Sequence, residues 1–135
     1  MITAQTTIME GILRRLALLE RRVEILAAAE GGGAWRPLPY TTGWVDFTGS
    51  FDYAAGTYKR VGDLVLLSGQ VTRSSGSSAI IATLAADCHP SERHILTCIS
   101  NGAISRVDVH TDGTINLLSG TTSSYISLSG QFFRL

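Results

Sequence analysis

The chain of 135 residues has little of what several protein classes require. Two cysteines are too few to staple a small domain with disulfides. Lys59 is the only lysine, and 11 basic residues balance 11 acidic ones, so neither nucleic acid nor an anionic membrane surface is an expected partner. No apolar run approaches the roughly 18 residues that span a membrane, and Glu10 and Arg14 interrupt any signal-peptide core. With 44% hydrophobic and 16% charged residues the chain is too apolar for disorder, so we expect a soluble protein without membrane insertion.

Composition changes near residue 31. The stretch before it is charged, rich in leucine, alanine and arginine, and free of proline, and the run Gly31-Gly32-Gly33 follows. From Trp35 to Leu135, serine, threonine and glycine make up 35 of the 101 residues. Glycine-rich breaks separate structural elements. We therefore predict a helix over roughly residues 2–29 within a segment 1–30, a Gly-rich linker 31–34, and a β domain 35–135.

The N-terminal segment has the heptad pattern of a coiled coil. Apolar residues recur at alternating spacings of 3 and 4, and seven of the eight seam positions are apolar. The seam positions are Ile2, Gln5, Met9, Ile12, Leu16, Leu19, Val23 and Leu26. Four heptads are just enough for a sustained coiled coil, so the pattern predicts that this helix self-associates. The alternative is a lone amphipathic helix packed on its own β domain, although such a face usually follows a period of about 3.6 residues and drifts off a strict heptad.

Residues beside the seam favour a parallel trimer. Arg15 at position g and Glu20 at the following e are five residues apart, the spacing of ion pairs between neighbouring helices in parallel coiled coils. Ile8 and Leu13 add apolar bulk beside the seam, which favours more than two strands. The segment Arg15–Glu20 also resembles the short trimerisation motif of parallel three-stranded coiled coils. We therefore expect a homotrimer whose interface consists of the apolar seam together with Arg15 and Glu20.

The remainder of the chain has the punctuation of short antiparallel strands. Asn101-Gly102 is the strongest two-residue turn signal, and Gly62-Asp63 and Asp112-Gly113 also suit tight hairpin turns. Eight strands are predicted: 43–48, 57–61, 64–73, 80–84, 94–100, 103–110, 114–119 and 125–134. Because no helical stretch separates them, they predict an antiparallel β-sandwich or a jelly-roll-like head. The phrase Leu-Ser-Gly recurs at 67–69, 118–120 and 128–130 and is interpreted as a local strand feature, such as a bulge at each glycine.

Several of these motifs stand in a characteristic order. Gly43-Trp44, Tyr58–Val65 and Leu67–Gly69 come first, Ile80–Leu84 leads to His89-Pro90, Arg106–Val109 precedes Thr111–Ile115, and Tyr125–Gly130 with Phe132-Phe133 closes the chain. This order resembles the head domain of bacteriophage tail fibres and receptor-binding proteins over about residues 43–135. In that family trimeric β heads sit on coiled-coil necks and serve as virion structural or host-binding parts.

The resemblance implies a non-enzymatic phage virion protein, a short trimeric fibre or spike whose segment 1–30 anchors it to the particle. It implies assembly in the host cytoplasm and residence in the virion, with capsid, tail or baseplate proteins as partners and a host surface glycan as a further one. Two alternatives stay open: a capsid decoration or cement protein that stabilises the head, and a stand-alone carbohydrate-binding module.

Catalytic and metal-binding patterns are weak. Cys88, His89, His94 and Cys98 offer zinc-binding groups, but their spacing lacks the close pairs of familiar zinc sites, and buried thiols beside polar histidines are the better account. Asp108–Gly113 lacks the spacing and terminal glutamate of a calcium loop, so a hairpin turn is predicted there. No nucleophile elbow, carboxylate pair, phosphate loop or dinucleotide fingerprint occurs. We therefore expect no enzyme, no catalytic residue, no metal and no cofactor.

A candidate glycan site follows from counting the strands. If all eight alternate in direction, loops 49–56, 74–79, 101–102 and 120–124 lie together at the end of the head far from the coiled coil. The side chains predicted to cluster there are Asp52, Tyr53, Arg73, Asn101 and Tyr125. Sugars need aromatic faces for stacking and short polar groups for their hydroxyls, and this set supplies both. The alternative is ordinary solvated loops.

Overall fold

The computed structural model describes residues 4–31, 33–48, 51–120 and 124–135, and within 24–31 it describes the backbone alone. The chain divides between Gly33 and Ala34 into two compact units. Among the described residues, the first unit contains helix α1 and the second contains two antiparallel sheets. The fold is therefore mainly β with one N-terminal helix, which confirms the predicted class at that level.

Helix α1 runs over 28 residues, Ala4–Gly31, a length of about 42 Å at about 1.5 Å per residue. Leucine, alanine, arginine and glutamate make up most of its sequence, and all four are strong helix formers. It ends at Gly31, where the glycine run begins and helix propensity falls. The predicted helix started and ended two residues earlier. Ile2 and the side chain of Leu26, both predicted seam positions, lie outside the described part of the chain.

The second unit is built from short strands. Eleven occur in its described part: β1 (Arg36–Pro37), β2 (Trp44–Asp46), β3 (Thr57–Val61), β4 (Leu64–Ser68), β5 (Gln70–Arg73), β6 (Ile80–Thr83), β7 (His94–Ser100), β8 (Ala103–Val109), β9 (Thr114–Ser119), β10 (Ile126–Ser127) and β11 (Phe132–Arg134). A four-stranded sheet has the order β1-β3-β4-β11, and a seven-stranded sheet has the order β2-β5-β10-β7-β8-β9-β6. Three predicted strands, now β3, β7 and β9, have the predicted bounds.

Two predicted strands are wrong as single strands. Leu64–Arg73 is divided at Gly69 between β4 in the smaller sheet and β5 in the larger one, and Tyr125–Arg134 is divided in the same way between β10 and β11. Gly69 has a φ of +98°, and a Cβ atom there would lie 2.1 Å from the carbonyl oxygen of Ala55. Only glycine fits this change of direction without strain. A hydrophobic run long enough for one strand therefore serves both sheets.

The glycines of the three Leu-Ser-Gly phrases all have positive φ, +98° at Gly69, +124° at Gly120 and +79° at Gly130. Of the three phrases, 118–120 adjoins a bulge, where Arg106 pairs with Ser119 but Val107 pairs with Leu117. At Gly69 and Gly130 the chain instead passes from one sheet to the other, which corrects the expectation of a bulge at those two positions.

The core lies between the inner faces of the two sheets. Inward positions alternate along the strands, so Val65 and Leu67 on β4 and Val107 and Val109 on β8 are all buried in one cluster. Each fully buried aliphatic side chain contributes roughly 1.5–3 kcal/mol through the hydrophobic effect. The inner faces thus supply most of the hydrophobic stabilisation of the sandwich-like unit.

Strand β1 has no counterpart among the predicted strands, because two residues leave no alternation to detect. Arg36 of β1 donates from Nη1 and Nη2 to the two carboxylate oxygens of Asp87 at 3.1 and 3.0 Å. Its guanidinium carbon also lies 4.5 Å from the centre of the Tyr58 ring. The hydrogen bonds from Arg36 lower the pKa of Asp87 and tie β1 to the short 3-10 helix Ala86–Cys88.

Candidate functional site

The apolar seam of α1 is exposed. Its apolar residues with described side chains are between 47% and 63% exposed: Met9, Ile12, Leu16, Leu19 and Val23. Ile8 and Leu13 beside the seam are 62% and 57% exposed, and Arg15 and Glu20 are exposed as well. A helix that leaves a continuous apolar stripe in water gains stability when another surface covers that stripe.

Four aromatic side chains form a cluster on the second unit, which we call the aromatic cluster: Phe47, Phe51, Tyr53 and Tyr125. The ring centres of Phe47, Tyr53 and Tyr125 are mutually 5.4–5.7 Å apart, and Phe51 meets Tyr53 edge-on at 5.9 Å. These are the separations of favourable aromatic pairs. Phe51 is 69% exposed, so the cluster presents an aromatic surface to solvent.

The aromatic cluster lies on the outer face of the seven-stranded sheet. Val71 of β5 and Ile126 of β10 face one another in register and are fully buried, so Tyr125, one residue before Ile126, lies on the opposite face. The segment that carries Phe51 and Tyr53 is closed at its base, because the backbone N–H of Gly56 donates to Asp46 Oδ1 at 2.8 Å.

Further bonds hold the ends of that segment. Tyr40 donates its hydroxyl to the same Asp46 oxygen that Gly56 contacts. The pKa of Tyr40 is raised, mainly because the side chain is partly buried and secondly because its hydroxyl bonds to Asp46. Two backbone hydrogen bonds of Gln70 also hold the ends of the segment: its carbonyl oxygen accepts from the N–H of Phe47 at 2.9 Å, and its N–H donates to the carbonyl oxygen of Ala54 at 3.0 Å. The segment 51–53 is therefore folded back over the sheet from two fixed ends.

The predicted arrangement of the loops is wrong in one respect. β2 and β5 are antiparallel neighbours, with Trp44 opposite Arg73 and Asp46 opposite Val71. The segment after β2 therefore leaves the sheet at the end where β5 begins, and loop 74–79 leaves at the other end. The prediction counted 64–73 as one strand, and the change of sheet at Gly69 breaks the alternation on which it depended.

The structure brings together two of the five predicted glycan-site residues, Tyr53 and Tyr125, because segment 51–53 folds back. Asp52 is exposed between Phe51 and Tyr53. Asn101 lies in the β7–β8 turn with a φ of +48°, at the end of the sheet where β10 begins. Arg73 pairs with the inward-facing Trp44, and its Nη1 donates to the carbonyl of Ser78 at 3.2 Å. Its register places Arg73 on the sheet face opposite to the aromatic cluster.

Sequence reasoning missed a charged group on the same outer face. Asp108 alternates with the buried Val107 and Val109 and so points outward, yet its side chain has no exposed surface. Arg93 and Arg106 cover it, with Arg93 Nη2 2.6 Å from Oδ2 and Arg106 Nε 2.9 Å from Oδ1. Hydrogen bonds from Arg106, supported by those from Arg93, hold the pKa of Asp108 below its ordinary value.

Sequence reasoning also missed three exposed isoleucines on the outer face of β7 and β8: Ile95, Ile99 and Ile104. They are 62%, 59% and 73% exposed. Ile99 and Ile104 are direct partners, whereas Ile95 is paired with Asp108 beyond the pair Thr97–Arg106. The strand pattern alone did not reveal these isoleucines, because β7 has apolar residues on both faces, with Leu96 and Cys98 buried inward.

The four residues considered for zinc have separate surroundings. Cys88 accepts a bond from Arg36 Nη2 at 3.0 Å, and His89 Nε2 lies 2.7 Å from the carbonyl oxygen of Leu84. His94 packs against the Phe133 ring, whereas Cys98 is buried in β7. Within the described part of the chain, no three histidine, cysteine, aspartate or glutamate side chains form a metal-binding group.

Comparison of the chain with known protein families, with curated proteins and with solved structures found no match. No helix among the described residues has the length and apolarity needed to cross a membrane. The functional argument therefore depends on the surfaces described above, namely the exposed seam of α1 and the aromatic cluster.

Proposed function

We propose that this protein is a non-enzymatic structural component of a bacteriophage virion, a short fibre or spike in which α1 forms a parallel three-stranded coiled coil and the β unit is the displayed head. The observation that carries the proposal is the exposed heptad seam of α1. The resemblance of the β unit to tail-fibre heads supports the assignment to a phage particle.

Energetics favour assembly through this seam. Burial of apolar surface contributes about 25 cal/mol per Å², and five aliphatic or thioether side chains of the seam are about half exposed in one chain. In a trimer each seam layer contributes three such side chains to a common core. Arg15 and Glu20, both exposed, remain available for pairing between neighbouring helices.

Sedimentation equilibrium at micromolar concentration tests the trimer. We expect the full chain to have three times the monomer mass of 14.4 kDa. Replacing Leu16→Asp and Leu19→Asp together places six carboxylates in the seam of a trimer, so this variant should sediment as a monomer. Leu18→Asp is the matched control, because Leu18 lies off the seam and is 60% exposed, and it should remain a trimer. A monomeric wild-type chain contradicts the proposal.

The assignment to a virion needs a separate measurement. Mass spectrometry of purified particles of the phage that encodes this chain should detect it at a fixed copy number. Antibody labelling in electron micrographs then distinguishes a tail or baseplate position from a regular capsid lattice, which would indicate the decoration protein instead. A trimer that is absent from the particles contradicts the virion role.

A second function, recognition of a host surface glycan, is supported by the aromatic cluster. Tyr53 and Tyr125 combine ring faces with hydroxyl groups, a combination suited to sugars. Three heads on one stalk would compensate for weak binding at each site through avidity. On a glycan array, Tyr53→Ala with Tyr125→Ala should abolish binding by the trimer. Phe132→Ala, which removes a 60% exposed ring from the other sheet, should leave binding unchanged. Equal binding by both variants would contradict a site at the aromatic cluster.

A further inference from the structure

A row of side chains crosses the outer face of the seven-stranded sheet, from the aromatic cluster to the β7–β8 hairpin. We call it the outer row, and its members in order are Phe47, Gln70, Ser127, Ile99 and Ile104. The register makes each member the neighbour of the next, since the N–H of Phe47 donates to the carbonyl oxygen of Gln70 and the other four are paired in sequence. Neighbouring strands lie about 4.8 Å apart, so the row is about 19 Å long.

The members of the outer row point away from the core. Side chains alternate along a strand, and the strand neighbours of the last four members are buried: Val71, Ile126, Ser100 and Ser105. Phe47 belongs to the aromatic cluster, which lies on the same outer face. At the other end of the row, Ile99 and Ile104 are 59% and 73% exposed. A ligand therefore reaches the row from solvent.

The middle of the outer row carries ordered polar groups. The side-chain amide of Gln70 donates from Nε2 to the hydroxyl oxygens of Ser127 and Ser129 at 3.1 and 3.2 Å. Ser129 Oγ also accepts from the backbone N–H of Gly69 at 3.0 Å. Within the described part of the chain, neither hydroxyl donates a bond and the amide oxygen of Gln70 accepts none. Two donors and one acceptor are thus held in place for a ligand.

The order of these groups suits a carbohydrate better than a protein or a nucleic acid. A protein interface has an apolar centre and a polar rim, whereas the outer row is polar in its middle and apolar at both ends. Nucleic acid requires cations along its backbone, and no member of the row is charged. Arg106, in the neighbouring row, is already bound to Asp108. A sugar presents both hydroxyl groups and apolar C–H faces, which is the combination that this surface complements.

We infer that the outer row is an extended glycan-binding site, an inference that rests on the proposed recognition of a host surface glycan. Its ligand is an uncharged oligosaccharide that lies across the strands, with one sugar stacked on the aromatic cluster and the hydroxyls of the next bonded to Gln70 and the serines. Ile99 and Ile104 select a sugar that carries a methyl group, such as an N-acetyl or 6-deoxy sugar, because a methyl group gains by leaving water and an unpaired hydroxyl does not.

Oligosaccharide binding by the full chain tests the extended site. The probes are uncharged bacterial oligosaccharides on an array, from single sugars to long chains, with and without N-acetyl or 6-deoxy groups. The strongest binder is then titrated in solution by calorimetry, which gives the Kd of each head without avidity. We expect a methyl-bearing chain to bind at least about tenfold more tightly than its component single sugars, which corresponds to about 1.4 kcal/mol.

Variants at the far end of the row test the selection of a methyl group. Ile99→Thr with Ile104→Thr removes aliphatic surface but keeps the β-branched shape that suits a strand. It should weaken binding of the methyl-bearing chain by about tenfold. Ile95→Thr is the matched control, because Ile95 is 62% exposed on the same face but is paired with Asp108, outside the row. This control should bind like the wild type.

A variant in the middle of the row tests its polar groups. Gln70→Ala removes the amide and should weaken binding by about fivefold, whether or not the chain carries a methyl group. Sedimentation and melting of each variant should match those of the wild type. If the double isoleucine variant melts early, Ile99→Thr and Ile104→Thr are compared singly with Ile95→Thr.

The outcomes separate the extended site from the proposed function. If Tyr53→Ala with Tyr125→Ala abolishes binding while the row variants bind like Ile95→Thr, the aromatic cluster is the whole site; the extended site is then wrong and glycan recognition survives. Equal binding of chains with and without methyl groups by the wild type overturns the role of Ile99 and Ile104. Failure of the wild-type trimer to bind any oligosaccharide overturns both proposals.

Discussion

Replacing Asp108 by asparagine tests whether the arginine-covered carboxylate is a main support of the β unit. The substituted side chain would keep the shape of the original but lose its charge, and its amide NH₂ would face guanidinium donors. Asp108 accepts from Arg93 Nε at 2.7 Å and from Arg106 Nε and Nη2 at 2.9 and 3.0 Å. The pair with Arg93 joins the loop before β7 to β8, so its loss should loosen this end of the sheet.

The size of the effect follows from burial. Removing one partner of a buried ion pair costs about 3–5 kcal/mol. Here Asp108 is fully covered but the side chains of Arg93 and Arg106 are 49% and 47% exposed, so both arginines can regain water. We therefore expect Asp108→Asn to lower the free energy of unfolding by about 2–3 kcal/mol. At about 4–8 °C per kcal/mol, the melting temperature of the β unit should fall by roughly 10–20 °C.

The difference in stability between the wild type and Asp108→Asn should depend on pH. Hydrogen bonds from Arg106 chiefly, together with Arg93, lower the pKa of Asp108 in the folded state below the unfolded value of about 3.9. The stabilisation is therefore fully present above that value and is lost as the pH falls through the folded pKa. Circular dichroism melts at pH 7 should separate wild type from Asp108→Asn, and the two curves should converge in acid, where both side chains are neutral.

A matched control separates this effect from loss of any surface charge. Asp63 pairs with Arg134 at 3.3 Å, but both side chains are largely exposed, so Asp63→Asn should change stability by less than about 1 kcal/mol. The reasoning about Asp108 is refuted if Asp108→Asn melts like Asp63→Asn at neutral pH, or if its deficit persists undiminished in acid.

Two further predictions concern the turn between the sheets and the thiols. Gly69→Ala should lower the free energy of unfolding in urea by at least about 3 kcal/mol, since its Cβ would meet the Ala55 carbonyl oxygen at 2.1 Å. Gly62→Ala, whose Cβ has open space, should lower it by only about 1 kcal/mol. Equal losses of stability in the two variants would contradict the packing argument. Burial raises the pKa of Cys98 to about 11 and also raises that of Cys88. At pH 8 Ellman's reagent should therefore modify neither thiol until urea unfolds the chain. Rapid modification of the folded protein would contradict the burial of the two thiols.

Local rules predicted β strands well where a strand begins and ends at turn signals. β3, β7 and β9 are bounded by such signals and have the predicted limits. The prediction of one strand over Leu64–Arg73 was wrong because Gly69 was interpreted as a bulge within a continuing strand, whereas the chain changes sheet there. The decisive fact, the close approach of Ala55 to Gly69, involves residues 14 positions apart and is not visible in a local pattern.

The candidate sites show the same difference between local sequence signals and contacts between distant residues. Tyr53 and Tyr125 were predicted together and do meet, but their contact depends on the folded-back segment rather than on the alternation of loops. Arg73 was placed with them by its position in the sequence, whereas strand register assigns it to the other face. Contacts fixed by register between distant strands require knowledge of which strands are neighbours, and turn signals do not specify this.

The exposed isoleucines of β7 and β8 show a different limit. In β7 the sequence His94–Ser100 is apolar at Ile95, Leu96, Cys98 and Ile99, so both faces look suited to a core. A strand that is apolar on both faces is typical of a strand that is covered on both faces. In one chain only the inner face is covered. The exposed seam of α1 poses the same question for the helix, where the apolar positions Met9, Ile12, Leu16, Leu19 and Val23 are about half exposed.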